Sequence, residues 1–315
     1  MANHFIGGED LDFAPLGAPA VSGTGSLFRA GYARGSLRVN LSQGWRVPAS
    51  YGISVTTAAW LTARFYNQTS GGSFPLLRFN GDTDAPIIAL YNDGTLWNVS
   101  GTPAQIATPT APVPVNAISK LNVYYDFDTT GQINVYIDET LVVSFTGNTT
   151  GGRAALPGLD LMGGTCYWSE VLWADYDTRG IIGVVTLVPT ADGATNNWTV
   201  DAVTNVNELV LDDATSDQSG TAGQVDLYTV GALPAGNYGI LAVEVVSRSA
   251  TTAGAPQNLK NLVRVGGTNY PSSTYAIGAA FERNAYVWTQ NPNTLAAWLP
   301  SDLGAGFNVG MESVA

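Results

Sequence analysis

The chain has 315 residues, of which 45% are apolar and 12% are charged, against about 25% charged residues in an average soluble domain. Such a chain can bury a large core and is not disordered, and its two lysines, Lys120 and Lys260, are too few for long exposed helices. Its net charge of −12 repels phosphate backbones, so we expect no nucleic acid as a partner. No apolar run approaches the roughly 20 residues that span a membrane, and we expect no membrane insertion.

Residues 1–25 form a leader rich in Gly, Ala and Pro with few large apolar side chains. Such a leader cannot cover a core by itself, which predicts a flexible N-terminal arm or a segment ordered by a neighbouring subunit. Phe5 and Phe13 are its candidate assembly residues. The leader lacks the pattern of a secretory signal, and Cys166 is the single cysteine. We therefore expect synthesis in a reducing cytoplasm without a signal peptide.

Residues 26–180 predict a first β domain, because turn residues interrupt runs of Val, Ile, Tyr, Phe and Thr at the spacing of a β-sandwich or jelly roll. In Lys120–Gly147, alternation of apolar and polar residues around a Thr-Thr-Gly turn predicts a three-stranded meander. Residues 102–116 contain four prolines and predict an extended loop. The other predicted strands are Ser54–Tyr66, Phe74–Phe79, Ile87–Tyr91, Thr95–Trp97 and Tyr167–Ala174.

Residues 181–315 repeat the rhythm of strands and turns and predict a second, smaller β-sandwich. Within them, Gly239–Val246 is continuously apolar and predicts a central strand buried on both faces. Asn293–Asp302 predicts one short helical turn. The predicted strands are Val184–Val188, Trp198–Val200, Glu208–Asp212, Val225–Val230, Tyr238–Arg248, Asn258–Val265 and Ala285–Gln290.

Histidine and cysteine are too scarce for most catalytic arrangements. A Ser–His–acid or Cys–His site would have to take its base from His4, the only histidine, and a mixed zinc site has one residue of each kind. Cys166 stands between small and aromatic residues and is interpreted as a packed apolar side chain. No phosphate-binding loop occurs.

Carboxylates are the plentiful acid and base groups. Asp126 and Asp128, and likewise Asp175 and Asp177, stand two residues apart, so on a strand each pair shares a face, and glycosidases act through paired carboxylates. The alternative for the first pair is capping of the turn that follows it. The alternative for the second pair is a surface ion pair with Arg179.

Two oxygen-rich regions are candidate calcium sites. One combines Asp82, Asp84 and Asp93, and the other is the loop 212–220, which departs from the EF-hand pattern at Gln218 and beyond the loop at Gln224. The alternative for both is a solvated loop. We expect no other cofactor.

The run from Trp60 to Trp173 resembles the concanavalin A-like, or laminin-G-like, jelly roll. The resemblance is carried by Ala89–Leu96 and by Tyr124–Asp138, which is similar to that family's strand, Asp-x-x-Gly turn and strand ending in Asp. It implies an N-terminal jelly-roll sandwich in an all-β chain. The glucanase branch carries Glu-x-Asp-x-x-Glu on one strand, and this sequence lacks it, so the resemblance does not imply hydrolysis.

The second half resembles modules in structural proteins of tailed-phage virions. The segments that carry this resemblance are Trp173–Gly180, Pro189–Gly193, Asn197–Thr199, Asp212–Asp213, Leu233–Tyr238, Asn291–Thr294 and Ala297–Trp298. It implies a virion component placed where the particle meets the host surface, with other virion proteins as partners.

These observations predict a virion structural protein that is not an enzyme: a fibre, spike, collar or capsid-surface subunit, oligomeric and trimeric by preference, that binds host surface polysaccharide. One alternative is an architectural capsid-decoration or tail subunit without a ligand. Another is a polysaccharide-degrading enzyme that uses paired aspartates. For each candidate ring the alternative is core packing. The candidate glycan-binding residues are Trp45, Tyr51, Asn92, Asp93 and Trp97.

Overall fold

A computed structural model gives the architecture of the chain. It describes residues 3–7, 14–16, 21–22, 36–40, 44–47, 55–68, 74–81, 85–163, 165–180, 184–200, 202–207, 213–236, 238–252 and 254–315. The chain divides into two compact units, Met1–Thr186 and Leu187–Ala315.

The predicted all-β fold is confirmed, with 52% of the structure in strands and 3% in helices. The helices among the described residues are two short 3₁₀ helices, Val203–Asn205 and Pro300–Leu303. Neither these nor any other helix in the described ranges has the length and apolar character needed to cross a bilayer.

Among the described residues of the N-terminal unit, fifteen strands form two packed antiparallel sheets. The strands are numbered in chain order. The eight-stranded sheet has the order β13-β12-β11-β6-β15-β4-β3, with β1 also paired to β15. The seven-stranded sheet has the order β10-β9-β8-β7-β14-β5-β2. The strands are β1 (Asn3–Gly7), β2 (Ala14–Leu16), β3 (Val21–Ser22), β4 (Ser36–Asn40), β5 (Gly44–Val47), β6 (Ala58–Asn67), β7 (Pro75–Asn80), β8 (Pro86–Tyr91), β9 (Leu96–Asn98), β10 (Ala104–Ala107), β11 (Ile118–Asp126), β12 (Gly131–Ile137), β13 (Thr140–Gly147), β14 (Gly158–Leu161) and β15 (Thr165–Ala174).

The core of this unit lies between the two sheets, because successive side chains of a strand point to opposite faces. The predicted meander is β11 to β13, and Val123, Ile133 and Val135 of its alternating apolar set are buried in this core. From the seven-stranded sheet, Leu77, Phe79 and Leu159 join the same cluster. The residues between these core positions therefore lie on the outward face of each sheet, the face turned away from the core.

The leader is not wholly an arm. Its strand β1 pairs with β15, β2 pairs with β5, and β3 pairs with β4, so these three pieces of residues 1–25 hydrogen-bond to the two sheets. Phe5 lies in β1 opposite Trp173, and Phe13 lies outside the described residues.

The C-terminal unit holds a six-stranded sheet of order β16-β17-β23-β19-β20, with β21 also paired to β19, and a two-stranded sheet of β18 and β22. Its core includes Val245, Val263, Trp288, Trp298 and Phe307. The strands are β16 (Pro189–Asn196), β17 (Val225–Val230), β18 (Val243–Ser249), β19 (Asn258–Val265), β20 (Thr268–Pro271), β21 (Tyr275–Ala276), β22 (Glu282–Trp288) and β23 (Asn308–Val314).

Several local predictions differ from this structure or lie outside the part of the chain that it describes. The predicted strand Trp198–Val200 has strand pairing only as an isolated bridge between Val200 and Gln218. The predicted strand Glu208–Asp212 lies outside the described residues. The predicted central strand Gly239–Val246 is wrong, because β18 begins at Val243, pairs with β22 alone among the described strands, and leaves Val246 42% exposed. The predicted strand Val184–Val188 has no strand backbone, and the ladder begins at Pro189 instead. The predicted loop 102–116 contains the short strand β10.

Candidate functional site

A single row of side chains crosses the outward face of the seven-stranded sheet. Arg46 lies opposite Asp160, Asp160 opposite Arg78, Arg78 opposite Ala89, and Ala89 opposite Trp97, on β5, β14, β7, β8 and β9 in turn. Gln105 of β10 lies opposite Trp97 and ends the row. We call these six residues the transverse row. Neighbouring strands are about 4.8 Å apart, so the row from Trp97 to Arg46 spans about 19 Å.

Charged side chains meet at one end of this row. Arg46 donates from Nε to Asp160 Oδ1 at 2.6 Å and from Nη2 to Oδ2 at 3.0 Å, and Arg78 Nη2 donates to Oδ2 at 2.9 Å. Asn80 Nδ2 donates to Oδ1 at 2.8 Å. The Asp160 side chain is 0% exposed, whereas those of Arg46 and Arg78 are 20% and 26% exposed. We call these four residues the arginine–aspartate cluster.

An aromatic ring lies toward the other end of the row, in the hairpin of β8 and β9. Trp97 is half-buried, packs on Tyr91 with ring centroids 5.6 Å apart, and donates from Nε1 to Thr95 Oγ1 at 2.9 Å. The Thr95 hydroxyl in turn donates to Asp93 Oδ1 at 2.6 Å. The indole is therefore fixed in its orientation, and the exposed Asp93 reaches it through Thr95. Gly94 has φ 87°, which supplies the left-handed residue that the turn between β8 and β9 needs.

The remaining predicted glycan-binding residues are placed elsewhere. Asn92 is buried, and its side chain accepts a hydrogen bond from the backbone N–H of Phe74 at 3.0 Å. Trp45 is 5% exposed and belongs to the core between the sheets, so its ring offers no face to a ligand. Tyr51 lies outside the described residues. The structure thus brings Asp93 and Trp97 together and separates Trp45 from them.

The outward face of the eight-stranded sheet is covered by the segment that follows β15. The Thr178 and Thr62 hydroxyls hydrogen-bond at 2.6 Å, Lys120 Nζ donates to the carbonyl of Gly180, and Arg179 Cζ lies 4.8 Å from the ring centroids of both Trp60 and Tyr136. Thr178, a residue of this segment, is fully buried. Thr62, Lys120, Trp60 and Tyr136 on this face therefore contact the chain itself.

The paired aspartates do not form an acid–base pair at the transverse row. Asp177 makes a surface ion pair with Arg179, with Asp177 Oδ2 2.6 Å from Arg179 Nη2, and the Arg179 hydrogen bonds hold the pKa of this carboxyl below its usual range. Asp175 is exposed on the same segment, which lies on the opposite side of the sandwich from the row. Asp128 caps the turn after β11 by accepting from Thr130, chiefly its backbone N–H, and these bonds lower the pKa of Asp128.

The candidate calcium ligands have partners or lie outside the described residues. Asp82, Asp84 and Asp212 are outside them, and Asp93 accepts from Thr95. In the loop 213–220, Asp213 forms a two-bond ion pair with Arg248, and Asp217 accepts from Tyr228 and Asn205. The part of the chain that the structure describes contains no group of three or more metal-ligating acidic, His or Cys side chains.

The single cysteine, Cys166, does not contribute to the transverse row. Cys166 is fully buried between the sheets, and burial raises the pKa of its thiol far above the ordinary value. A buried neutral thiol behaves as a small apolar side chain, as the sequence predicts.

The arginine–aspartate cluster was missed from the sequence, although it left a signal. Arg46, Arg78 and Asp160 are each the single charged residue of a short strand that is otherwise uncharged. A charge is costly to bury without a partner of opposite sign, so the buried Asp160 is expected to pair with positive residues at equivalent positions of neighbouring strands.

Comparison with known proteins gives similarity to solved structures only. No protein-family model matches the chain, and no curated protein sequence matches it. The chain is similar to an endo-β-1,4-glucuronan lyase from the fungus Trichoderma reesei, with 12% identity and a TM-score of 0.42 over 56% of this chain and 96% of that one. It is similar to a cellulose-induced protein, with 12% identity and a TM-score of 0.38 over 56% and 93% of the two chains.

A further similar structure is domain 4 of an extracellular arabinanase from Geobacillus stearothermophilus in complex with arabinotriose. Its identity is 17% and its TM-score 0.34, over 57% of this chain and 82% of that one. The first of these neighbours is a polysaccharide lyase, and the third was solved with a bound oligosaccharide. At these identities and TM-scores we transfer no activity, substrate or residue role from them.

One expectation is nevertheless corrected by this comparison. The sequence predicted a protein that is not an enzyme, and the structures similar to this chain include polysaccharide lyases that act on glucuronan and alginate. The prediction of a chain without catalytic activity is contradicted, and we withdraw it.

The cluster yields a prediction about stability. Asp160→Asn removes the carboxylate that both arginines share and leaves two guanidiniums packed together, so we expect the free energy of unfolding to fall by about 2–4 kcal/mol. The matched control is Asp177→Asn, which breaks an exposed ion pair and should cost less than about 1 kcal/mol. Denaturant unfolding of both variants measures the difference, and equal effects would contradict a structural role for the shared carboxylate.

Proposed function

We propose that the N-terminal unit binds a linear polysaccharide along the transverse row, across the strands of the seven-stranded sheet. The observation that carries the proposal is the row itself. It combines a fixed, half-buried indole with two partly exposed guanidiniums. Measured across the strands, Arg78 lies about 10 Å from Trp97, and Arg46 lies about 19 Å from Trp97.

Each part of the row suits a sugar chain. The apolar face of a sugar ring packs on an aromatic ring, and tryptophan provides a large flat surface whose burial is favourable. Sugar hydroxyls accept hydrogen bonds from guanidinium N–H groups, and the Gln105 amide both donates and accepts. Because Thr95 and Asp93 hold the indole and Asp160 holds both arginines, binding orders few side chains, which lowers its entropic cost.

Replacement of the indole tests this proposal. We expect Trp97→Ala to weaken binding about tenfold, because stacking on one aromatic ring contributes about 1–1.5 kcal/mol beyond the buried area. Affinity electrophoresis against xylan, arabinan, pectin and alginate measures the change.

The matched control is Tyr286→Ala, which removes an exposed ring from the C-terminal unit and should leave the affinity unchanged. If each polysaccharide slowed the wild type and Trp97→Ala to the same extent, the proposal would be contradicted. It would also be contradicted if none of the four polysaccharides bound the wild type.

A second candidate function is cleavage of the bound polysaccharide. The observation that favours it is the pair of guanidiniums on the row, because positive groups held in place stabilise negative charge that develops in a transition state. We expect new reducing ends to appear when the protein is incubated with the polysaccharides it binds, and Arg78→Gln to slow their release.

The paired aspartates provide the control for this reaction. Asp175→Asn and Asp177→Asn should release reducing ends at the wild-type rate, because these residues lie across the sandwich from the row. A loss of release in these two variants would assign the reaction to the other face, and an absence of new reducing ends in the wild type would reject this candidate.

For the biological setting we propose a subunit on the surface of a tailed-phage particle, where it meets host polysaccharide. Support comes from the resemblance of residues 173–298 to virion modules. It also comes from the composition, in which most polar residues are uncharged, because such a surface suits a protein packed in many copies. We expect an oligomer, a trimer by preference. Light scattering of the purified chain measures the mass, and a monomer whose mass is independent of concentration would contradict this proposal.

A further inference from the structure

A second line of side chains crosses the outward face of the eight-stranded sheet. Trp60 of β6 lies opposite Tyr124 of β11, and Tyr124 lies opposite Asn134 of β12. Asn134 in turn lies opposite Ser144 of β13. We call these four residues the second row. The sequence neighbours of Trp60, Tyr124 and Asn134 are buried in the core between the sheets, so the row faces outward. With strands about 4.8 Å apart, it spans about 14 Å.

Three aromatic rings meet at one end of the second row. The ring centroids of Trp60 and Tyr124 are 5.1 Å apart. The ring of Tyr136, two residues beyond Asn134 on β12, has its centroid 6.1 Å from that of Trp60. All three side chains are half-buried, so part of each remains at the surface. An aromatic cluster of this kind offers a large apolar area on which the apolar face of a sugar ring can pack.

The polar groups of the second row are available to a ligand. Nε1 of Trp60, the hydroxyl of Tyr124 and Nδ2 of Asn134 have no hydrogen-bond partner among the described residues, and none of the three atoms is buried. Asn134 Oδ1 accepts a hydrogen bond from Ser144 Oγ at 2.7 Å, which fixes the amide and leaves its N–H groups unused. The row therefore presents donors beside its rings, and sugar hydroxyls accept hydrogen bonds from such donors.

Asp126 adds an acceptor beside the same rings. It lies two residues beyond Tyr124 on β11 and shares the outward face. Its carboxylate has no hydrogen-bond partner among the described residues, and sugar hydroxyls can donate to it. Burial and, after it, the charge of Asp126 raise the pKa of the Tyr124 hydroxyl, so this hydroxyl stays protonated and remains a donor.

The charge beside the second row is negative. Arg179 lies over Trp60 and Tyr136 and borders the row on one side. Its guanidinium is paired with Asp177, whose Oδ2 lies 2.6 Å from Nη2. The carboxylate of Asp126 therefore sets the sign of the charge, and a sugar that carries a carboxylate or a sulfate would be repelled.

We propose that the second row, together with Tyr136 and Asp126, is a further binding site of the N-terminal unit, and that its ligand is a stretch of an uncharged polysaccharide. The rings bind the apolar faces of the sugars, and the amide, the phenol and the carboxylate bind their hydroxyls. The site lies across the sandwich from the transverse row. It shares no residue with that row and does not rest on the proposed function.

The experiment uses short sugars and variants of the second row. Cellohexaose, xylohexaose, mannohexaose and a glucuronate hexasaccharide are titrated calorimetrically into the full-length protein. We expect at least one of the three uncharged sugars to bind. Tyr124→Ala should weaken this binding about tenfold through the loss of one stacking ring, and Asn134→Ala about fivefold through the loss of one hydrogen bond.

The matched control is Tyr66→Ala. It removes a half-buried tyrosine ring from the same outward face, where Tyr66 packs on Tyr167 away from the second row, and it should leave the affinity unchanged. Denaturant unfolding establishes that each variant is folded. Asn134→Ala removes no ring and keeps the test decisive if Tyr124→Ala fails to fold.

The outcomes separate this inference from the proposed function. Binding weakened by Trp97→Ala but by neither Tyr124→Ala nor Asn134→Ala would assign the sugar to the transverse row and overturn this inference alone. Binding of none of the three uncharged sugars would also overturn it, as would equal weakening by Tyr66→Ala and Tyr124→Ala. Tighter binding of the glucuronate hexasaccharide than of every uncharged sugar would overturn the uncharged class.

Discussion

The core between the two sheets fixes the position of every other group in the N-terminal unit. Side chains on a strand alternate between faces, so burial of Leu77 and Phe79 on β7, and of Leu159 and Leu161 on β14, determines that Arg78 and Asp160 point outward. A shift of register by one residue would place these charges in the core and the leucines on the outward face, at a cost of many kcal/mol. The alignment of the six residues of the transverse row, which come from six strands, is thus a consequence of packing on the inward face of the sheet.

Local patterns in the sequence were enough for the fold class and for several strands. The meander β11–β13 and the hairpin β8–β9 combine alternation with a turn residue, and both pieces of information lie within a few positions of each other. The strand β23 carried no such signal, because Asn308–Val314 mixes polar residues with Gly310. That glycine is required by close packing: a Cβ there would lie 1.9 Å from the carbonyl oxygen of Asp226 on β17. A contact between strands more than 80 positions apart cannot be read from either segment alone.

The same limit explains what was found and what was missed at the site. Asp93 and Trp97 are neighbours in sequence and were identified together, although Asp93 acts on the indole through Thr95 rather than on a ligand. Arg46 and Arg78 meet Asp160 across 114 and 82 residues, and only sheet topology brings them side by side. Trp45 was misjudged because aromatic residues of β proteins serve both cores and surfaces, and the sequence around it does not reveal which face of β5 is inside.

The segment that crosses the other sheet determines where the N-terminal unit can be cut. Ala174 ends the last described strand of this unit, but Thr178 and Gly180 hydrogen-bond to Thr62 and Lys120. Between them, Arg179 lies over two aromatic rings. A fragment that ended at Ala174 would expose these rings to solvent and remove the hydrogen-bond partners of Thr62 and Lys120. The exposed apolar surface would favour aggregation. The smallest autonomous version of this unit therefore extends through Gly180, six residues beyond its final β-strand.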